Sequence, residues 1–330
     1  MGYGKHEGAV AFVRASSAAD KPATGYKFFV CDDADIELNP QTYEAINNIT
    51  PDTPRIEHGG FELPWHINGI EPNVNTLGYA MACALGGDTW DTDHHDIEAA
   101  NSSQYINALV DKVQDLGTST PTQRAFGAKI SEWSIEFQRN AFFKMGLSGM
   151  ACNTELGAAL SPSMTYGANN APLSWACLTT ALGGYFKYGV DGADPATSDP
   201  EVLGFKIAGT REQTPSGYGL ESEQPTRMNE AGRGITFEIT KEFCGTHAKA
   251  QWEAFKAKQV ISVTWKAVTG TSSAIMTKVF GQVVGKFGEA IGTGAETIMG
   301  TLQCKAFRYE SASPIVGFTI IDGTVGAYWI

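Results

Sequence analysis

Apolar and polar positions alternate along much of the chain. Phe61, Leu63, Trp65 and Ile67 share one face of an extended segment, and so do Trp133, Ile135 and Phe137. The pattern recurs at Ile235, Phe237 and Ile239 and at Ile261, Val263 and Trp265. Period two with β-branched and aromatic residues predicts half-buried antiparallel strands. Pro64 removes a ladder donor, so the first of these strands is expected to lie at an edge or break there. Leu302–Glu310 and Ile315–Gly323 also read as strands, around a turn near Ser311–Pro314. Glu62, Glu136 and Glu238 point away from the aromatic faces and mark the polar side of their strands.

Helical signals are fewer. Asn75 is positioned to cap NTLGYAMACALG, with Leu77, Met81 and Ala84 on one face and Gly86–Gly87 ending the turn. Thr246 is positioned to cap THAKAQWEAFKAKQ, where Ala248, Trp252 and Phe255 repeat the spacing. Residues 104–115 form a third, weaker amphipathic candidate. Two of these segments expose an internal repeat. From Arg55 and again from Arg227 the chain offers an arginine, a Gly-containing turn, an alternating strand and a capped helix. Matching order and spacing suggest a duplication. The division expected is a first β domain at 1–188, a linker at 189–200 and a second β domain at 201–330.

Two stretches depart from the pattern. GVDGADPATSDP, residues 189–200, is acidic and turn-rich. Residues 267–300 are small and apolar with regular glycines, and Val279, Val283 and Phe287 fall at helical spacing while Gly281, Gly285 and Gly288 weaken a helix. The reading is an extended hairpin or arm covered by a neighbouring subunit, because such a surface is unfavourable in water. Its expected contacts are Ile275, Met276, Val279, Phe280, Val283 and Phe287.

Composition narrows the function. Of 330 residues, 42% are hydrophobic and 18% charged, which excludes disorder as the main state. The formal charge of −12 with no basic run argues against gripping nucleic acid. No apolar run approaches the ~20 residues of a membrane helix. MGYGKHEGAV shows no signal segment, and His6 stands where a myristoylation signal needs Ser or Thr. Cys31, Cys83, Cys152, Cys177, Cys244 and Cys304 lack close pairing and read as reduced, buried residues rather than zinc ligands.

Candidate chemistry is sparse. Asp88, Asp91, Asp93, His94, His95, Asp96 and Glu98 are ligand types in one loop, but the spacing is not that of an EF-hand. A solvated acidic loop is the competing reading, and no metal is assigned. GQVVGK at 281–286 lacks the spacing and the hydroxyl of a phosphate loop, and Gly232 and Gly234 lack the third glycine of a dinucleotide motif. GLSG at 146–149 lacks the spacing of a nucleophile elbow. His58 and His66, near Glu57 and Glu62, read as surface pairing or core satisfaction. No catalytic residue and no cofactor is assigned.

The segment GGFELPWHI followed by NTLGYAMACALGG resembles the tail tube proteins of long-tailed bacteriophages. SEWSIEFQRN, the turn at Leu147–Met150, LGFKIAG, RGITFEITKEF and the closing strands follow in the same order. The resemblance implies a mainly β (α+β) fold, an antiparallel β-sandwich or barrel with flanking helices, which the internal repeat would duplicate within the chain. It implies a non-enzymatic subunit assembling with itself into trimeric pseudo-sixfold or hexameric rings. The rings stack, contact other tail proteins, and conduct viral DNA without specific binding. No membrane is involved; the place is the virion tail, assembled in the host cytoplasm. Glu62, Glu136 and Glu238 then become candidates for the lumen or a polar exterior. The competing readings are a carbohydrate-binding or hydrolytic β-sandwich and another virion protein, such as a capsid or tail-terminator subunit.

Overall fold

The computed structural model describes residues 10–22, 25–29, 31–45, 55–111, 122–156, 171–190, 192–196, 202–217, 225–242, 253, 256–289, 299–308, 314–324, 326 and 328. Its elements are β1 (Val10–Ala15), β2 (Lys27–Phe29), β3 (Asp33–Ile36), β4 (Asn39–Ala45), β5 (Arg55–Ile70) and α1 (Val74–Leu85). Then come β6 (Thr89–Asp91), β7 (His94–Glu98), β8 (Tyr105–Asp111), β9 (Thr122–Gln138), β10 (Lys144–Ala151) and β11 (Asn153–Leu156). The rest are β12 (Tyr185–Gly189), β13 (Val202–Ser216), β14 (Arg227–Glu242), β15 (Val260–Thr269), β16 (Ser272–Glu289), β17 (Met299–Ala306) and β18 (Gly317–Ile321).

All strand pairing among the described residues is antiparallel, and the chain is mainly β. One layer runs β3–β5–β10–β9–β13–β14–β17. A second contains β12–β15–β16–β18–β7–β6. Aromatic side chains fill the space between them. Phe137 of β9 meets Trp265 of β15 and Phe186 of β12, with ring centroids 6.1 and 5.8 Å apart. Phe205 of β13 meets Phe186 at 5.4 Å, and Trp133 of β9 meets Phe318 of β18 at 6.4 Å. The alternating residues read from the sequence are these inward faces: Leu63, Trp65, Ile67, Ile135, Phe137, Phe237, Ile239, Ile261, Val263 and Trp265 are all buried.

Strand β16 joins the layers. Its first half pairs with β18 and its second half with β17, while β15 runs along the other side. A bulge lies at the change: Val279 pairs with Val263, but Met276 pairs with Trp265, so β16 carries one extra residue there. The bulge lets Ala274, Met276, Val279 and Val283 all face the core. Gly281 is required by a close approach, since a Cβ there would lie 2.4 Å from the Phe237 ring. The 267–300 stretch is thus a hairpin strand of this chain up to Glu289, and residues 290–298 lie outside the described residues.

Strand β9 belongs to two sheets. Residues 129–138 pair in the sandwich, and the part before them pairs with β8 and β11. The strand bends at Gly127, whose φ of +60° places it in the left-handed region. Strands β1, β2 and β8 extend this smaller sheet. Helix α1 packs against β7, β9, β16 and β18, so it touches both layers of the sandwich.

Three sequence expectations are corrected. The α1 cap is Asn73, not Asn75: Asn73 Oδ1 accepts from Thr76 N–H at 2.8 Å, and Thr76 Oγ1 accepts from Asn73 N–H at 2.8 Å. Asn75 instead donates from Nδ2 to Asp322 Oδ2 at 2.7 Å. Residues 104–115 are not helical where described, since 105–111 form β8 between β1 and β9. Pro64 does not end β5. The partner on one side changes there instead, from β4 on 55–62 to β3 on 65–68. The helix expected from Thr246 falls almost wholly outside the described residues. Within 189–200, Gly192 N–H donates to Val260 O and Lys278 pairs with Asp194, which tie the segment to β15 and β16.

Candidate assembly surface

The sandwich leaves one broad polar face. Lys144, Glu136, Lys206, Glu238 and Gln303 are successive cross-strand neighbours on β10, β9, β13, β14 and β17. The first four alternate in sign, and opposite charges directly across strands are favourable. Gln138 Nε2 donates to Glu136 at 2.7 Å, and Gln303 Nε2 donates to Glu238 at 2.9 Å. Glu62 shares the outward parity of β5, opposite Leu63 and Trp65, and is half-buried. The structure therefore places all three predicted glutamates on the side away from the core.

The predicted interface residues are placed otherwise. Met276, Val279, Phe280 and Val283 are 0%, 0%, 4% and 4% exposed and pack inside this chain. Side chains so enclosed have no free surface to offer a neighbour, so the contact role assigned to them is revised. Ile275 is half-buried, Val284 is exposed, and the Phe287 side chain lies outside the described residues. Among the described residues, β3 and β12 each have a hydrogen-bonded neighbour on one side only. Such edges present unpaired backbone groups to another strand.

The acidic loop after α1 splits by parity. On hairpin β6–β7, His94 faces outward between Asp93 (2.8 Å) and Asp96 (3.3 Å). Hydrogen bonding to Asp93 raises its pKa. His95 is fully buried: Nδ1 lies 3.1 Å from Asp88, Nε2 lies 3.8 Å from Asp322, and the ring stacks on Tyr328 at 4.0 Å. Among the described residues, no three metal-ligand side chains converge. Tyr328 hydroxyl donates to Asp322 at 2.7 Å, and Tyr328 N–H donates to Asp88 at 2.7 Å. Burial pushes the Asp322 carboxyl up, but donors from Tyr328, Thr324 and Asn75 hold it below its usual range. These contacts seat Asp322, Thr324 and Tyr328 beside α1.

A second polar cluster has no counterpart in the sequence reading. Lys129 of β9 and Glu230 of β14 form a buried ion pair at 2.8 Å, with side chains 4% and 5% exposed. Arg211 reaches the same carboxylate at 3.4 Å, and Ser102 and Ser103 hydroxyls also donate to it. Burial raises the Glu230 pKa, but the donors from Lys129, Ser102 and Ser103 hold it below the ordinary value. No local spacing announces this cluster, because its members lie up to 128 residues apart.

Of the cysteines, Cys83, Cys152, Cys177 and Cys304 are buried, Cys31 is half-buried, and Cys244 lies outside the described residues. No helix of the described residues is long and apolar enough to cross a membrane. Comparison with curated proteins gives no match. The family model described as phage tail tube protein matches residues 59–306, a span that runs from β5 to the end of β17. That span covers most of the chain and nearly all of the larger layer, so the chain belongs to the phage tail tube protein family.

Proposed function

We propose that the chain polymerises with copies of itself into stacked rings, and that viral DNA passes through their lumen without specific binding. The family match carries this reading, because it covers the strands that build the polar face and one free edge, β12. The polar face supports it physically. A wall of alternating charge with no unpaired basic row gives phosphates little to hold, so DNA can slide along it. Glu62, Glu136 and Glu238 are assigned to that wall. Edges β3 and β12 are assigned to pairing between neighbours. Other tail proteins cap the assembly, which forms in the host cytoplasm and resides in the virion tail. A ring holds either three chains with two tube-like halves each or six chains.

Negative-stain electron microscopy over a concentration series tests this. Hollow tubes or stacked rings are expected, and end-on views count the subunits. A uniform monomer at every concentration, also when seeded with preformed tail fragments, refutes the proposal.

A further inference from the structure

We propose that a cleft beside the C-terminal end of α1 is a carboxylate seat, occupied by an acidic side chain of a second copy of this chain. The occupant rests on the assembly reading above; the chemistry of the seat does not.

Arg211 and Arg233 are directly opposed in the β13–β14 register. Like charges facing one another across strands are destabilising. Both donate to one acceptor, the Ala100 carbonyl, at 3.1 and 3.0 Å, which locks the guanidiniums side by side. Arg308 lines the same cleft of about 170 Å³, whose walls include Trp133, Ile130 and Ile235. Arg211 is committed to Glu230. Arg233 and Arg308 are exposed, and no carboxylate of the described residues pairs with either. Glu98 also lines the cleft. The cleft lining thus holds three arginines and one carboxylate. A guanidinium presents a planar fork that matches a carboxylate, and apolar walls strengthen the attraction by lowering the local dielectric.

Charge complementarity selects the occupant. The chain carries −12, so two copies repel each other on average. A concentrated positive cleft is where a second copy can approach favourably. Every copy offers exposed carboxylates: Asp93 and Asp194 side chains are 75% and 80% exposed, and Asp32 is 67% exposed. Nucleic acid fits less well, because phosphates are tracked by open basic grooves rather than by a half-apolar cleft holding a glutamate.

The test is Arg233→Ala with Arg308→Ala, two exposed positions, in the full chain. Sedimentation velocity at low and high NaCl measures association, with circular dichroism as the folding control. The expected result is salt-sensitive association by the unmodified chain and at least tenfold weaker association by the variant. Equal association overturns the seat and leaves the assembly reading intact. If the unmodified chain never associates, the assembly reading fails and binding of two probes decides the seat's chemistry. An acetylated tetraglutamate peptide that binds the unmodified chain but not the variant sustains a carboxylate seat. Binding of a 12-nucleotide single strand in place of the peptide, or of neither probe, overturns it.

Discussion

Removing the Glu230 carboxylate should cost far more than removing any exposed acid. Its side chain and that of Lys129 are 5% and 4% exposed, so Glu230→Ala leaves an ammonium enclosed without its counter-charge. Breaking a buried pair from one side costs about 3–5 kcal/mol. With an unfolding entropy of ~2.1 cal/mol/K per residue, a chain of this length would lose roughly 4–7 °C in Tm. Asp194→Ala is the control, because its partner Lys278 is bound at 2.6 Å but Asp194 is 80% exposed. Such surface pairs contribute about 0–1 kcal/mol. Urea titration gives the global loss, and hydrogen exchange over 227–233 reports whether β14 loosens first. Adding Lys129→Met to Glu230→Ala should recover part of the loss by removing the orphaned charge. Acid supplies an independent check. The folded pKa of Glu230 is depressed, so its contribution is complete above the ordinary value of 4.5 and disappears as pH falls through the lower folded value. The Glu230→Ala chain should lack that component of acid sensitivity. A loss no larger than that of Asp194→Ala, or a double variant as unstable as the sum of the singles, refutes the reasoning.

Three further outcomes follow from the packing. Gly281→Ala drives a Cβ into the Phe237 ring and should lower the urea midpoint by the equivalent of about 1–3 kcal/mol; an unchanged midpoint would contradict the close approach. Asp322→Ala removes the acceptor shared by Tyr328 and Asn75, and should speed hydrogen exchange in the first turns of α1. In the unmodified chain the same loosening should appear only in acid, since the depressed Asp322 pKa keeps the contacts complete above 3.8 and loses them only as pH falls through the lower folded value. Val279→Ser should destabilise the isolated subunit by about 2–4 kcal/mol, whereas Val284→Ser, at an exposed position, should leave its melting curve unchanged. Equal melting curves for the two would remove Val279 from the core.

The strand faces were legible because a half-buried strand writes its environment directly into alternate residues. Trp133 to Phe137 and Ile261 to Trp265 needed nothing beyond that pattern. The start of α1 was harder, because Asn73 and Asn75 are equally good caps locally. What separates them is Asp322, 247 residues from Asn75, which engages the Asn75 amide. The sequence of strand β8 predicts a helix because Ile106 and Val110 suit a helix face as well as a strand. Only pairing with β1 and β9 decides between them. In β16, Val279 and Val283 are four residues apart, a spacing that suits a helix face and one face of a strand alike, and the bulge before them interrupts the alternation with Ala274 and Met276 that would separate the two. The glycine that weakens a helix there makes room for an aromatic ring. The Glu230 cluster and the arginine cleft gather residues from distant strands, and such convergence leaves no local trace.

The bulge in β16 also determines where the gene can change length. Between Met276 and Val279 the strand holds one residue more than its partner needs. Deleting Thr277 or Lys278 would restore regular pairing and leave every flanking side chain on its present face. A one-residue deletion elsewhere in the paired run from Ser272 to Val284 would turn the rest of the strand inside out, exchanging Val279 and Val283 with Gln282 and Val284. Descendants of this sequence should therefore accumulate single-codon gaps at 277–278 and tolerate few in the rest of that run.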